Sequence, residues 1–109
     1  MSFSLIFHPR AEKELNDVID YYNVFRENLG FEAYNEIVDY IETLKDFPFV
    51  APKKYEEVRI FFTKRFHFGI HYIALEELSE VIIIAIINTK QQIKEHQIFN
   101  RISDIKDWL

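Results

Sequence analysis

The stretch "KKYEEVRIFFTKRFHFGIHY", residues 53–72, decides how this chain is read. Val58, Ile60 and Phe62 alternate with Arg59, Phe61 and Thr63, and Phe66, Phe68, Ile70 and Tyr72 alternate with His67, Gly69 and His71. Alternation of period two marks two β-strands, each presenting one face to a core. Taking Val58, Ile60 and Phe62 as the buried set sends Arg59, Phe61, Thr63, His67 and His71 to the opposite, open face. The charge is also concentrated here. The chain carries a formal net charge of -5, yet residues 47–71 are net +3, against net -6 for residues 1–46 and net -2 for residues 72–109.

Upstream, Phe3, Leu5 and Phe7 read as a short strand that His8-Pro9 breaks. Ala11, Leu15, Val18, Ile19, Tyr22 and Phe25 then recur at helical spacing, which predicts a helix over 10–28, stopped near Asn28–Gly30. Ala33, Tyr34, Ile37, Val38, Ile41 and Leu44 predict a second helix over 31–47, ended by Pro48. With a turn at Gly30 the two form an antiparallel hairpin. Residues 47–57 read as a loop. Downstream, "EELSE", residues 76–80, is a hairpin turn, and "VIIIAIIN", residues 81–88, is a central strand covered on both faces. Ile93, Gln97, Ile98, Ile102, Ile105 and Leu109 predict a tail helix from Gln91. The order is β-α-α-β-β-β with a tail helix: an α+β domain over residues 1–109, its helical hairpin on one face of a mostly antiparallel sheet.

Composition excludes several function classes. The chain has 109 residues, 49% of them hydrophobic, which suits one domain with a full core. It has no cysteine, so it holds neither a disulfide nor a thiolate metal site, which suits a reducing cytosol. The longest apolar run, Val81–Ile87, is too short to span a bilayer. No Gly-rich phosphate loop, Ser/His/Asp set or metal-ligand spacing is present, and no metal or cofactor is expected. The acidic balance argues against broad nucleic-acid binding.

The chain resembles the RelE/ParE superfamily of bacterial toxins from type II toxin–antitoxin modules. The resemblance rests on "HPRAEKEL" (8–15), "IDYY" (19–22), "ETLKDFPFVAP" (42–52), "VR" (58–59) and "RFHFGIHYIA" (65–74), in that order. It implies the α+β fold above, a cognate antitoxin as partner, and a target that is either DNA gyrase or the ribosome with its mRNA. It also implies that substrate or antitoxin binds the open sheet face. Family members commonly carry His and Arg just after the last long strand. Here that place reads "NTKQQIKE", residues 88–95, with Lys90 and Lys94 as its cations. This departure tilts the expectation toward gyrase binding and away from mRNA cleavage. A member that pairs with its antitoxin without harming cells is the alternative.

The candidate site residues follow. Arg59 sits inside an apolar strand, where a charge needs a reason. It either clamps a phosphate, or pairs with an acidic side chain such as Glu95 or with a carbonyl. His67 and His71 are candidate proton carriers for attack of a 2′-hydroxyl on phosphate, or polar residues of a solvated face. Four residues apart on a strand, they lie about 13 Å from each other and cannot share a metal ion. Lys53 and Lys54 steady a substrate phosphate or are solvated loop cations. Lys64 and Arg65 mark a strand turn or a binding site. Phe61 on the open face stacks on a base or receives an antitoxin side chain. Lys90 completes the partner-binding set.

Overall fold

The computed structural model describes residues 2–90 and 95–108, with the side chains of 95–97 and 108 outside that description. Strand β1 (Ser4–Phe7) leads into α1 (Pro9–Asn23) and α2 (Leu29–Asp46). Strands β2 (Lys53–Tyr55), β3 (Val58–Phe62), β4 (Phe68–Leu75) and β5 (Glu80–Asn88) follow, and α3 (Glu95–Trp108) closes the chain. The five strands form one sheet in the order β1-β5-β4-β3-β2. β1 pairs parallel to β5, and the other pairings are antiparallel. The expected α+β architecture is therefore present, with β5 interior to the sheet and β4 its middle strand.

Local chemistry sets the element ends. His8 caps α1, its Nδ1 accepting from the Arg10 amide at 3.1 Å, and Pro9 occupies the first turn, where a missing N–H costs nothing. α1 stops at Asn23, earlier than its stripe suggests. The left-handed residue of the hairpin turn is Asn28, with φ of 65°, and Gly30 lies inside α2. Gly30 is needed for a different reason: a Cβ there would stand 2.0 Å from the Ile19 carbonyl oxygen. The glycine lets the two helices touch backbone to backbone. Its amide donates to Asn23 Oδ1 at 2.8 Å.

The sheet is buried on both faces. On one face the helical hairpin packs Leu15, Val18, Ile37, Ile41 and Leu44 against Phe68, Ile70, Tyr72, Val81, Ile83 and Ile86. On the other, Ile98 and Ile105 of α3 pack against Val58, Ile82, Ile84, Ala85 and Ile87. A bulge connects the two patterns. Tyr72 faces Ile83 and His71 faces Ala85, so Ile84 is an extra residue and the inward phase of β5 switches there.

Three expectations need correction. The phase of β3 is off by one: Arg59 lies opposite Tyr72 and Phe61 opposite Ile70, both facing the helical hairpin, while Ile60 lies opposite His71. The face expected to be open is covered over β5 by α3. Part of the expected 47–57 loop is strand β2. The expected start of the tail helix at Gln91 and its stripe residue Ile93 lie outside the described residues, as does the Gln97 side chain.

Candidate functional site

Arg59 is anchored to the fold. Its Nη1 donates to the Ala51 carbonyl at 2.7 Å, and its guanidinium lies 5.2 Å from the Phe49 ring centroid. The carbonyl partner is one of the two structural roles open to this arginine; the Glu95 side chain lies outside the described residues. Phe61, expected on the open face, instead packs on Tyr40 of α2, with ring centroids 4.9 Å apart.

The two histidines are in unlike places. His71 is 7% exposed and its Nδ1 lies 2.8 Å from the Tyr55 hydroxyl. Burial, aided by the positive Arg101 nearby, lowers its pKa to about 4. It is thus neutral at pH 7, a ring whose Nδ1 suits acceptance of the Tyr55 proton. His67 is not on a strand. It occupies the β3–β4 turn with φ of 58°, exposed, its carbonyl accepting from the Thr89 amide at 2.8 Å. Thr63 closes the same turn by exchanging hydrogen bonds with Phe68, 2.8 Å from its own amide and 2.9 Å to its hydroxyl.

The cations are scattered and mostly occupied. Lys53 stands on β2, its Nζ 2.8 Å from Glu57, and Lys54 beside it is exposed. Arg65 donates to Glu32 at 2.8 Å, and Glu32 also accepts from Arg26 at 2.8 Å. These two bonds hold the Glu32 carboxyl below the usual carboxylate range. Glu36 caps the segment by accepting from the Arg65 and Phe66 amides at 2.8 and 3.0 Å. Lys64 is exposed in the same turn. The structure therefore brings Arg26 and Arg65 together around Glu32. It does not bring Arg59 to either histidine: Arg59 and His71 are on opposite faces of the sheet.

A different constellation lies between α1 and the far end of β5. Glu14 accepts from both Arg101 Nη atoms, at 2.8 and 2.9 Å, and its Oε1 also accepts from the Ile86 amide at 3.1 Å. Arg101 Nη1 donates onward to the Ile84 carbonyl at 3.1 Å. One carboxylate thus ties α1, β5 and α3 together. On the α1 side of this knot opens a cavity of about 530 Å³. Its walls are Tyr21 and Tyr22 of α1, Phe25 of the turn that follows and Leu29 of α2, its floor Phe68 and Ile86, and its polar rim Asp17, Asn88 and Lys90. Tyr22 is set by Asn88, whose Nδ2 donates to the phenol oxygen at 3.2 Å, and by the edge of Phe66, 5.2 Å between centroids. Burial raises the Tyr22 pKa, so the phenol stays protonated.

Of the expected binding residues, Lys90 reaches this cavity. The sequence reasoning missed Glu14 and Arg101, and a signal for both existed. Glu14 falls at helical spacing with Ala11, Leu15 and Val18, and Arg101 with Ile98, Ile102 and Ile105. A charge on each of two apolar stripes is an invitation to pair them. Among the described residues no group of His, Asp and Glu is placed to hold a metal ion, and no helix is long and apolar enough to cross a membrane.

The profile of the ParE toxin of type II toxin–antitoxin systems, parDE, matches residues 5–93. No curated protein gives a match. Among solved structures, the chromosomal ParDE toxin–antitoxin system from P. aeruginosa is 21% identical, covers 80% of this chain and 96% of that chain, and superposes with a TM-score of 0.70. A double mutant of the E. coli toxin RelE in the free state is 13% identical, covers 93% and 94%, and has a TM-score of 0.65. The intact E. coli RelBE toxin–antitoxin complex is 14% identical, covers 83% and 100%, and has a TM-score of 0.63.

Proposed function

The chain belongs to the ParE toxin family of type II toxin–antitoxin systems, and from that membership we propose how it acts: as a toxin that holds a protein target in the cytoplasm without catalysis and is neutralised by a cognate antitoxin. DNA gyrase is the proposed target. The observation that carries the non-catalytic reading is the dispersal of the proton-transfer candidates. A ribonuclease needs a cation, a base and an acid within reach of one phosphate. Here Arg59 is spent on the Ala51 carbonyl, and His71 is buried and neutral on the opposite face. His67 stands apart in a turn. The acidic balance, net -5, is likewise poorly suited to holding RNA.

The test is induction of the chain from a tight promoter with and without the neighbouring antitoxin gene, with transcript ends mapped in the same cultures. Growth arrest with intact transcripts, relieved by the antitoxin, is expected. Ribosome-dependent cuts in mRNA would overturn the non-catalytic reading. Unimpaired growth would leave a module that only pairs with its antitoxin.

A further inference from the structure

The loop that leaves α2, "FPFVAP", residues 47–52, is apolar throughout yet lies largely outside the core. Pro48 and Ala51 turn inward and are buried, whereas Phe47, Phe49 and Val50 are 63%, 46% and 52% exposed. The loop is nevertheless fixed in place. The Phe47 amide donates to the Thr43 carbonyl at 3.0 Å, and the Val50 amide to the Phe47 carbonyl at 3.2 Å. The Ala51 amide reaches the Tyr72 hydroxyl at 3.4 Å, and its carbonyl takes the Arg59 guanidinium. The Phe49 ring lies against that guanidinium and meets the Phe3 ring edge-on, 6.1 Å between centroids. The β4–β5 turn comes to the same end of the sheet. The Phe3 amide donates to the Lys45 carbonyl at 2.7 Å and the Ser4 amide to the Ser79 carbonyl at 2.8 Å, so the start of β1 joins the end of α2 to that turn. There Leu78 is 54% exposed. The same two segments present the exposed carboxylates of Asp46, Glu76 and Glu77. Lys45 and Lys53, which flank the loop, are paired with Glu42 and Glu57. One pole of the molecule is therefore an apolar cluster with an acidic rim.

We infer that this pole docks the protein target proposed above, with Phe47, Phe49 and Val50 entering an apolar pocket on a folded partner and the carboxylates meeting a basic rim. The inference rests on the target-binding reading and gives it a surface. An exposed apolar cluster inside a polar rim is the ordinary mark of an interface. The side chains project from a loop already fixed to the core, so little order has to be gained on binding. A projecting aromatic knob needs a concave receiver, which a folded protein supplies and a short extended segment does not. A second copy fits badly. A two-fold interface uses one patch twice, which would set Asp46, Glu76 and Glu77 against the same three carboxylates, and like charges across an interface repel. The acidic rim instead complements lysine and arginine side chains on a different protein.

The experiment measures binding of Phe47→Glu to purified DNA gyrase and to the cognate antitoxin, with thermal melting of the same protein. Phe47 is exposed and closes α2 through its backbone, so the fold is kept. Val50→Ser repeats the test with a smaller change. Gyrase affinity weakened about 30-fold by Phe47→Glu, the size of an aromatic hot spot, is expected, with antitoxin affinity and melting unchanged. Glu77→Lys should weaken gyrase binding at low salt and less so at high salt; equal binding at low salt would contradict the basic rim. Unchanged gyrase affinity in both apolar variants would overturn the placement. So would loss of antitoxin affinity in place of gyrase affinity, which gives the pole to the antitoxin, or a wild-type dimer that Phe47→Glu dissociates, which gives it to a second copy. A wild-type chain that arrests growth without binding gyrase would overturn the choice of target alone. Arrest abolished by Phe47→Glu would then still support the pole, and undiminished arrest would overturn it.

Discussion

Arg59 and His71 are both catalytic candidates by sequence, and each has a structural occupation. Arg59 holds the Ala51 carbonyl and covers Phe49. Replacing it with Ala loses a charge-assisted hydrogen bond, and a loss of about 2 kcal/mol in stability by denaturant melting is expected, with growth arrest retained. Loss of toxicity at unchanged stability would restore the catalytic role. His71 gives a pH dependence. Its folded pKa of about 4 lies below the ordinary value of 6.5. Between those values the unfolded chain binds a proton that the folded chain refuses, so stability is fully present above pH 6.5 and falls as pH drops toward 4. The loss is on the order of 3 kcal/mol at most. His71→Gln should flatten that part of the pH–stability curve; an unchanged slope in the variant would contradict the assignment. The role of His71 is not readable from sequence. For Arg59 a carbonyl partner is one of the readings the sequence offers, but which carbonyl, eight residues upstream, leaves no mark in the pattern.

At the scale of elements, the two helices were legible because their stripes repeat over several turns, and the strands because alternation is strong. What failed was phase. Ile60, Phe61 and Phe62 are all apolar, so β3 offers a hydrophobic set on either face, and the register with β4 decides between them. The bulge at Ile84 was equally invisible, since every residue of "VIIIAII" satisfies both faces. The role of Gly30 was also misplaced, from turn to helix contact. Gly30→Ala would drive a methyl group into the Ile19 backbone. Backbone cannot swing aside as a side chain does, so a destabilisation of about 3 kcal/mol, the upper range for overpacking, is expected in thermal or urea unfolding. A near-neutral effect would mean the hairpin is looser than described. α3 is held by the Arg101–Glu14 pair as well as by Ile98 and Ile105. Arg101→Ala leaves Glu14 partly buried without its cation, and about 3 kcal/mol should be lost. Glu14→Gln together with Arg101→Met should recover much of it, which would separate an orphaned charge from lost packing.

On the scale of the whole molecule, the fold supplies two covered sheet faces and a truncated pairing along one edge. The candidate groups for RNA cleavage are distributed among a loop anchor, a buried ring and a turn. An accessible feature is instead the aromatic cavity beneath α1, which the sequence could not announce: Tyr22 and Phe25 read as core stripe until α1 is seen to end at Asn23 and leave Phe25 exposed. On the proposed reading, a molecule so arranged acts by occupying a partner. The most direct measurement is a supercoiling reaction in which the purified chain is titrated into DNA gyrase acting on relaxed plasmid. Supercoiling should be lost as the chain is added, return when the cognate antitoxin is supplied, and be lost equally with His67→Ala. Undiminished supercoiling at every concentration of the chain, with mRNA cleaved when ribosomes replace gyrase, would contradict it.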